Sequence, residues 1–486
     1  VASAELQAAA LADNNPGERM RLRSFALAVS LMLVVAACSS GKSSSSASGG
    51  GLSGTTTPAA GTKPAACATA QLGSPEVGVD PQHITVTVVA DVGSPIKPGL
   101  FQGSIDAVKA WANYINDSGG LACRTVVVKT ADSQLSAQAA QNAIVSACSN
   151  SMALVGTTAL FFQDTGQLEN CKDKAGANTG LPDIAELQTD PTQQCSKLSF
   201  AVLPTGSSCP YSGTGPRTYT VGQTQYDYYF RTFPGLNLHG VFAIPKDLPS
   251  TISSTMPIFR AENKMGIASD AEFGVSGLAT QADYTPIVAS IKQHNSNYAR
   301  NNSDYSANVL ERKEAQAQGV TSVKVWDCSL ACYDQRLITS GGSATENQYV
   351  WLNFLPMEDG PSANPELANF LKYDKKPDGF GEQAWLAGEV FAQAIKDTMA
   401  AHGGDPNSIT RANLLTALNN MHSFNAGGMM PNENIAARQL STCLVGMQVQ
   451  NGKFVRVHPT QPGTFDCDNN KPPITLTIDA LKEYHG

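Results

Sequence analysis

From Ile84 onward the apolar positions switch between two periods. Ile84 to Asp91 is a β-branched run that reads as a strand, and Asp91 to Pro98 follows as a loop of Gly, Ser and Pro. Ile105, Val108, Trp111, Ala112 and Ile115 then recur at helical spacing, and Gly119-Gly120 closes that helix. Thr125–Lys129 is the next strand, Ala137–Ala147 the next helix, and Met152–Gly156 a third strand that ends at Thr157-Thr158. Strands alternating with helices predict βαβ units and a parallel sheet covered on both faces. Ligands of such sheets bind beyond the carboxyl ends of the strands. That rule selects the loops Asp91–Pro98, Thr157–Phe161 and Ala185–Asp190 as the walls of a site.

The same alternation continues. Pro257–Arg260, Tyr298–Arg300 and Val323–Asp327 read as strands, and Pro286–Gln293 and Ser306–Gln318 as helices. Three further helices are predicted at Asn364–Tyr373, Gly381–His402 and Thr410–Leu418, the last with Thr410 as its N-cap. Val445 to Val457, with Asn451-Gly452 between apolar flanks, is a hairpin.

The amino-terminal region follows another pattern. Arg19, Arg21 and Arg23 precede an apolar run, Phe25–Val35, that is short of the ~20 residues a bilayer span needs. It fits the apolar region of an export signal. The residues that follow, Val35-Ala36-Ala37-Cys38-Ser39-Ser40, resemble the lipobox of bacterial lipoproteins. That resemblance implies cleavage before Cys38 and lipid on its sulfur and new amino terminus. The mature chain would then be anchored at the outer face of the cytoplasmic membrane. Val1–Glu18 is acidic, a poor start for such a signal, whereas Met20-Arg21-Leu22-Arg23 begins one by itself; Met20 is the expected start. Residues 1–37 are therefore left out of the fold, and 38–82 is expected to be a flexible tether rich in Ser, Gly, Thr and Pro.

Composition narrows the chemistry. The net charge is −8 and no basic run exists, which argues against nucleic acid as a partner. Setting Cys38 aside leaves ten of the eleven cysteines, an even number suited to disulfides in an exported protein. Cys328 and Cys332 are expected to form a local disulfide rather than a metal site, since zinc takes four ligands and no histidine lies close by. Cys443 and Cys467 flank the hairpin and are expected to pair. Cys123 with Cys148, and Cys195 with Cys209, are the further expected pairs, with other connectivities left open. No GxSxG, HExxH, Walker A or GxGxxG motif is present, and the seven histidines are scattered. An enzyme, a cofactor and a metal are not expected.

The strand Ile84–Asp91, its loop, and a helix ending Ile115-Asn116-Asp117-Ser118-Gly119-Gly120 together resemble the branched-chain amino-acid-binding family. These are type I periplasmic binding proteins, the substrate-binding lipoproteins of ABC transporters. Phe230-Arg231-Thr232 resembles the family's first crossing to a second lobe, and Tyr349–Pro356 its return. Trp385–Ile395 resembles a long first-lobe helix, and Cys443–Val457 a closing hairpin. The similarity covers nearly all of Ile84–Pro459; Gln193–Gln223, rich in Ser, Gly, Thr and Pro, departs from it and reads as an insertion.

The resemblance implies a two-lobed α/β fold with parallel sheets, helices on both faces and a hinge between lobes. Lobe one would take 83–233 and 354–442, lobe two 234–353, and the closing hairpin and C-terminal segment 443–486. It also implies a set of ligand contacts. Thr157 and Thr158 would meet a carboxylate, with Ala185, Glu186 and Thr189 on the next loop. Tyr305 would be the cleft aromatic and Asp327 the partner of an ammonium. Each has a plainer reading: a helix cap for Thr157 and Thr158, packing for Tyr305, a solvated loop acid for Asp327. Glu186 would repel a carboxylate, which leaves room for an amide, amine or peptide. The implied function is capture of a small polar solute, such as an amino acid, amide or related nitrogen compound, for delivery to an ABC permease and its ATPase. The alternative is a surface sensor that passes occupancy to a signalling partner.

Overall fold

Ten parallel strands in two sheets set the architecture of the computed structural model, which describes residues 67–209, 215–467 and 471–485. The signal, Cys38 and the tether as far as Ala66 lie outside the described residues. The first sheet holds β1 (His83–Ala90), β2 (Thr125–Asp132), β3 (Ala153–Thr157), β4 (Asp183–Leu187) and β5 (Ser199–Leu203) in the order β2-β1-β3-β4-β5, all parallel. β6 (Arg217–Val221) lies outside it. The second sheet holds β7 (His239–Pro245), β8 (Ala268–Val275), β9 (Tyr298–Asn301), β10 (Val325–Cys328) and β11 (Gln348–Leu352) in parallel. The hairpin β12 (Val445–Gln450) and β13 (Lys453–His458) adds antiparallel to β11 and completes the order β13-β12-β11-β10-β9-β7-β8. β14 (Ile474–Ile478) pairs antiparallel with β6.

Periodicity located most elements. Ile105, Val108, Trp111, Ala112 and Ile115 are all buried on helix Gln102–Asp117. Thr410 caps helix Arg411–Asn419 by accepting from the Asn413 N–H. Asn451 and Gly452 both take positive φ at the turn of the hairpin. One expectation failed. Pro257–Arg260 is not a strand but part of helix Pro249–Met265. Ile252, Met256 and Phe259 are buried there at helical spacing, a longer pattern than the four-residue apolar run suggested. The first strand of the second lobe is β7 instead, and β8 was also missed. β5 falls within the stretch set aside as an insertion, where the flanking Ser, Thr and Pro hid a short buried strand.

The disulfides correct a second expectation. Cys123 pairs with Cys67, and Cys148 with Cys171, so Cys123–Cys148 is not formed. Neighbourhood in sequence does not bring two Cα atoms within bonding range. Cys123 turns instead toward the lead-in before β1, where the Cys67 Cα lies 5.3 Å away. The pairs Cys195–Cys209, Cys328–Cys332 and Cys443–Cys467 are as expected. The lead-in itself is packed, so the described part of the expected tether, 67–82, is not free. Val79 is buried in the core, and the buried Arg124 guanidinium donates to the carbonyls of Gly73, Asp80, Ala122 and Pro406.

Helix Gln102–Asp117 packs along helix Gly379–Ala401 with close approaches at Gly381, beside the Gly103 carbonyl, and at Gly388. Trp111 is fully buried, its indole N–H donates to Glu389 at 3.0 Å, and its ring lies over Gly388. A Cβ at Gly388 would stand 2.4 Å from the indole ring. The ring has no room to withdraw, because overpacking a filled core costs roughly 1–3 kcal/mol. Gly388→Ala is therefore expected to lower the unfolding free energy by about that much, measured by urea titration of the disulfide-intact chain. An unchanged midpoint would show that the helices separate freely.

Candidate functional site

The carboxyl ends of all ten parallel strands converge on one cavity of about 340 Å³. From the first sheet come Leu100 after β1, Leu135 after β2, Leu160 after β3, Thr189 after β4 and Leu203 at the end of β5. From the second come Leu248 after β7, Val275 at the end of β8, Arg300 in β9, Ser329 after β10 and Asn353 after β11. Asn353 also ties the lobes together: it donates to the Val202 carbonyl of β5 and accepts from Gln383. The cavity therefore sits at the carboxyl edge of both sheets, where ligands of parallel α/β sheets bind.

The wall is mostly apolar. Four charged residues reach it, Lys97, Asp247, Arg300 and Asp304, and each has a partner within the protein. Lys97, on the loop after β1, meets Asp304 at 2.9 Å and donates to Ser306 Oγ at 3.0 Å. Asp304 caps helix Tyr305–Ala317, so this pair links loop and helix across the cleft. Asp247 accepts from Ser276 Oγ and from the Gly277 N–H. Arg300 lies between two buried carboxylates, Glu262 at 2.8 Å and Asp327 at 2.9 Å.

That cluster gathers further donors, Gln225 giving a proton to Asp327 at 3.3 Å. Tyr226 and Tyr298 donate their hydroxyls to Glu262 and Asp327, at 2.9 and 2.8 Å. Burial pushes the Glu262 carboxyl up to about 7, against the pull of Arg300 and with the push of Asp327. Burial also raises Asp327, with Arg300 opposing it. One guanidinium beside two carboxylates in a dry interior favours keeping a proton on the pair.

A smaller cavity of about 220 Å³ adjoins the first and shares Ile96, Lys97, Leu100, Asp304, Ala331 and Phe380 with it. Its remaining wall is mixed, with Pro98 and Gly99 beside the polar Tyr305, Ser306, Asp334 and Arg336. The Arg336 guanidinium lies 4.6 Å from the centre of the Tyr305 ring and is bound by Asp334 at 2.6 Å.

The residues singled out in sequence fall in three places. Thr189 lines the main cavity and Tyr305 the smaller one. Thr157 and Thr158 are buried at the end of β3, where Leu160 takes the wall. Ala185 and Glu186 are buried within β4, and Asp327 is held behind Arg300. These five do not line either cavity. Glu186 is fully buried, and its carboxyl is pushed well above the ordinary value by burial, with Asp378 adding repulsion and Ser104 relief. Burial thus favours its neutral form, and it lines neither cavity. Lys97, Asp304 and Phe380 were missed as site residues. Asp304 carried a signal, since Asp just before a predicted helix is an N-cap at a post-strand loop.

Comparison with known proteins accords with this geometry. The family described as periplasmic binding protein matches residues 264–453. No match was found among curated proteins. The leucine-binding protein LivK of Thermotoga maritima aligns with a TM-score of 0.59 and 14% identity over 77% of this chain and 97% of its own. A fatty acid ABC transporter substrate-binding protein from Thermomonospora curvata aligns at 0.61 and 14%, over 82% and 98%. LivJ of Streptococcus pneumoniae, solved with isoleucine, aligns at 0.58 and 15%, over 77% and 100%. These bear out the resemblance to type I periplasmic binding proteins and the two-lobed α/β fold. The proteins they name are solute binders and not enzymes.

The upward shift of the Glu186 carboxyl has a measurable consequence. Its folded-state pKa lies above its unfolded value near 4.5, so the native form keeps a proton that the unfolded chain releases. Unfolding free energy contributed by this group falls as pH rises above 4.5. Glu262 adds the same trend between 4.5 and about 7. Glu186→Gln should flatten the fall in stability from pH 5 to pH 8, read by urea titration at each pH, while leaving the pH 5 stability nearly unchanged. A variant as pH-dependent as the parent would mean that Glu186 ionises in the folded state.

Proposed function

We propose that this chain is the extracytoplasmic solute receptor of an ABC importer, tethered to the outer face of the cytoplasmic membrane by lipid on Cys38. The observation that carries the reading is the convergence of all ten strand ends on one interlobe cavity. A ligand held there touches both lobes, and binding energy that depends on both favours the closed arrangement. The closed form would be what the permease recognises, with the permease and its ATPase as separate chains. Among the described residues no helix is long and apolar enough to cross a membrane, and no cluster of metal-ligating side chains occurs. Solved neighbours that bind leucine, isoleucine and a fatty acid support a small organic solute as the cargo.

Two measurements test the proposal. A ligand present at ~100 times its dissociation constant stabilises the native state by ~2.7 kcal/mol. A thermal-shift screen of the oxidised chain against amino acids, amides, peptides, sugars and carboxylic acids should therefore return a solute that raises Tm by a few degrees. Turnover of a solute in place of stabilisation would reject the receptor reading. Cys38→Ala should move the protein from the membrane fraction to the soluble fraction; continued retention in the membrane would reject the lipid anchor.

A further inference from the structure

We infer that the solute is an amphipath, with an apolar body of acyl-chain type in the large cavity and one compact polar head in the small one. This rests on the receptor reading and goes beyond it by naming the ligand's chemistry. Three observations carry it.

The first is size against polarity. An apolar cavity of ~150 Å³ holds benzene. The main cavity, at about 340 Å³, is more than twice that and is walled by side chains such as Leu100, Leu160, Leu203, Leu248, Ile258 and Leu310. A leucine or isoleucine side chain would leave much of this surface in contact with nothing.

The second is the state of the wall charges. A free amino acid needs a carboxylate for its ammonium and donors for its carboxylate. The charges of Lys97 and Asp304 neutralise each other, that of Arg300 is held between Glu262 and Asp327, and Asp247 accepts from Ser276 and Gly277. Placing a zwitterion among partners already taken would leave buried charge uncompensated, which costs several kcal/mol. An apolar chain asks for no such partner.

The third is the vestibule. The small cavity adjoins the large one through Lys97, Leu100, Asp304, Ala331 and Phe380, and is walled on its far side by Tyr305, Asp334 and Arg336. Two cations and two carboxylates balance there, Lys97 with Asp304 and Arg336 with Asp334; the Lys97 ammonium gives two of its three protons to Asp304 and Ser306, which leaves one for a polar head. A single polar head can be solvated at that end while its chain extends past Phe380 into the dry chamber. Phe380 and Leu100 stand at the boundary, partly buried and common to both spaces.

The test is a chain-length series on the full oxidised chain: butanoate, hexanoate, octanoate, decanoate and dodecanoate, with the matching alcohols, by isothermal titration. Leucine, glutamine and a dipeptide form a second panel. Burial of each CH₂ is expected to tighten saturable, one-per-chain binding about fourfold until the chamber is full, in both the acid and the alcohol series. Ile258 lies on the chamber side of helix Pro249–Met265 and is only partly buried, so Ile258→Trp fills space without emptying the core. It should weaken dodecanoate about tenfold relative to hexanoate. Affinity that stays flat with chain length, or uptake that does not saturate, overturns the amphipath. If leucine, glutamine or the dipeptide then binds in its place, the receptor reading survives. If neither panel binds but another solute of the thermal-shift screen does, only the amphipath falls; if nothing in either screen binds, the receptor reading falls as well.

Discussion

Parallel pairing is the constraint on which the rest of this structure depends. A parallel strand cannot return to its neighbour by a tight turn, so each needs a crossover, here usually a helix. The crossovers cover both sheet faces and make the strands apolar on both sides, as in Val86, Val88 and Val89 of β1, all fully buried. Irregular, polar backbone is then displaced to the strand ends. Two such sheets with their carboxyl ends turned to a common space leave one place where loops from every strand meet. The 340 Å³ cavity is the result of that geometry before it is the result of any particular side chain.

Buried cations hold the arrangement around that space. Arg124 and Arg411 are fully buried and spend their donors largely on backbone carbonyls, Arg411 on those of Met152, Lys172, Cys148 and Ser151. Each ties a loop or lead-in to the base of the first lobe. Arg300 does the comparable task in the second lobe with carboxylates in place of carbonyls, joining helix Pro249–Met265 to β9 and β10. Removing one partner of such a pair strands the other in a dry interior, at a cost of about 3–5 kcal/mol. These arginines read as structural fasteners, and the wall they leave behind is correspondingly free of unpaired charge.

Much of the fold was legible because local rules and tertiary demands agreed. Helical spacing from Ile105 to Ile115, the Asn451-Gly452 turn, and the cap at Thr410 each follow from short-range chemistry, and the packed structure uses them unchanged. Where they disagreed, the longer pattern won. Pro257–Arg260 has the composition of a strand, yet its surroundings continue an amphipathic helix. β5 is five residues long in a stretch that otherwise looks like loop. The site was legible only in part. The rule that ligands meet strand ends selected loops that border the cavities, where Thr189 lines the larger and Tyr305 the smaller.

By itself the sequence determined the alternation of strands and helices, hence parallel sheets and the edge at which a ligand would sit; the two lobes came from the resemblance. Tertiary structure alone decided which side of each strand end faces the cleft. Residues still within or next to the covered strands, such as Thr157 and Glu186, are buried, while Leu160 and Thr189, on the loops beyond β3 and β4, reach the wall. It also decided the pairing of charges, because Lys97 with Asp304, and Arg300 with Glu262 and Asp327, are distant in the chain and meet only when the lobes are built. The polarity of the cavity follows from those pairings and from no residue count.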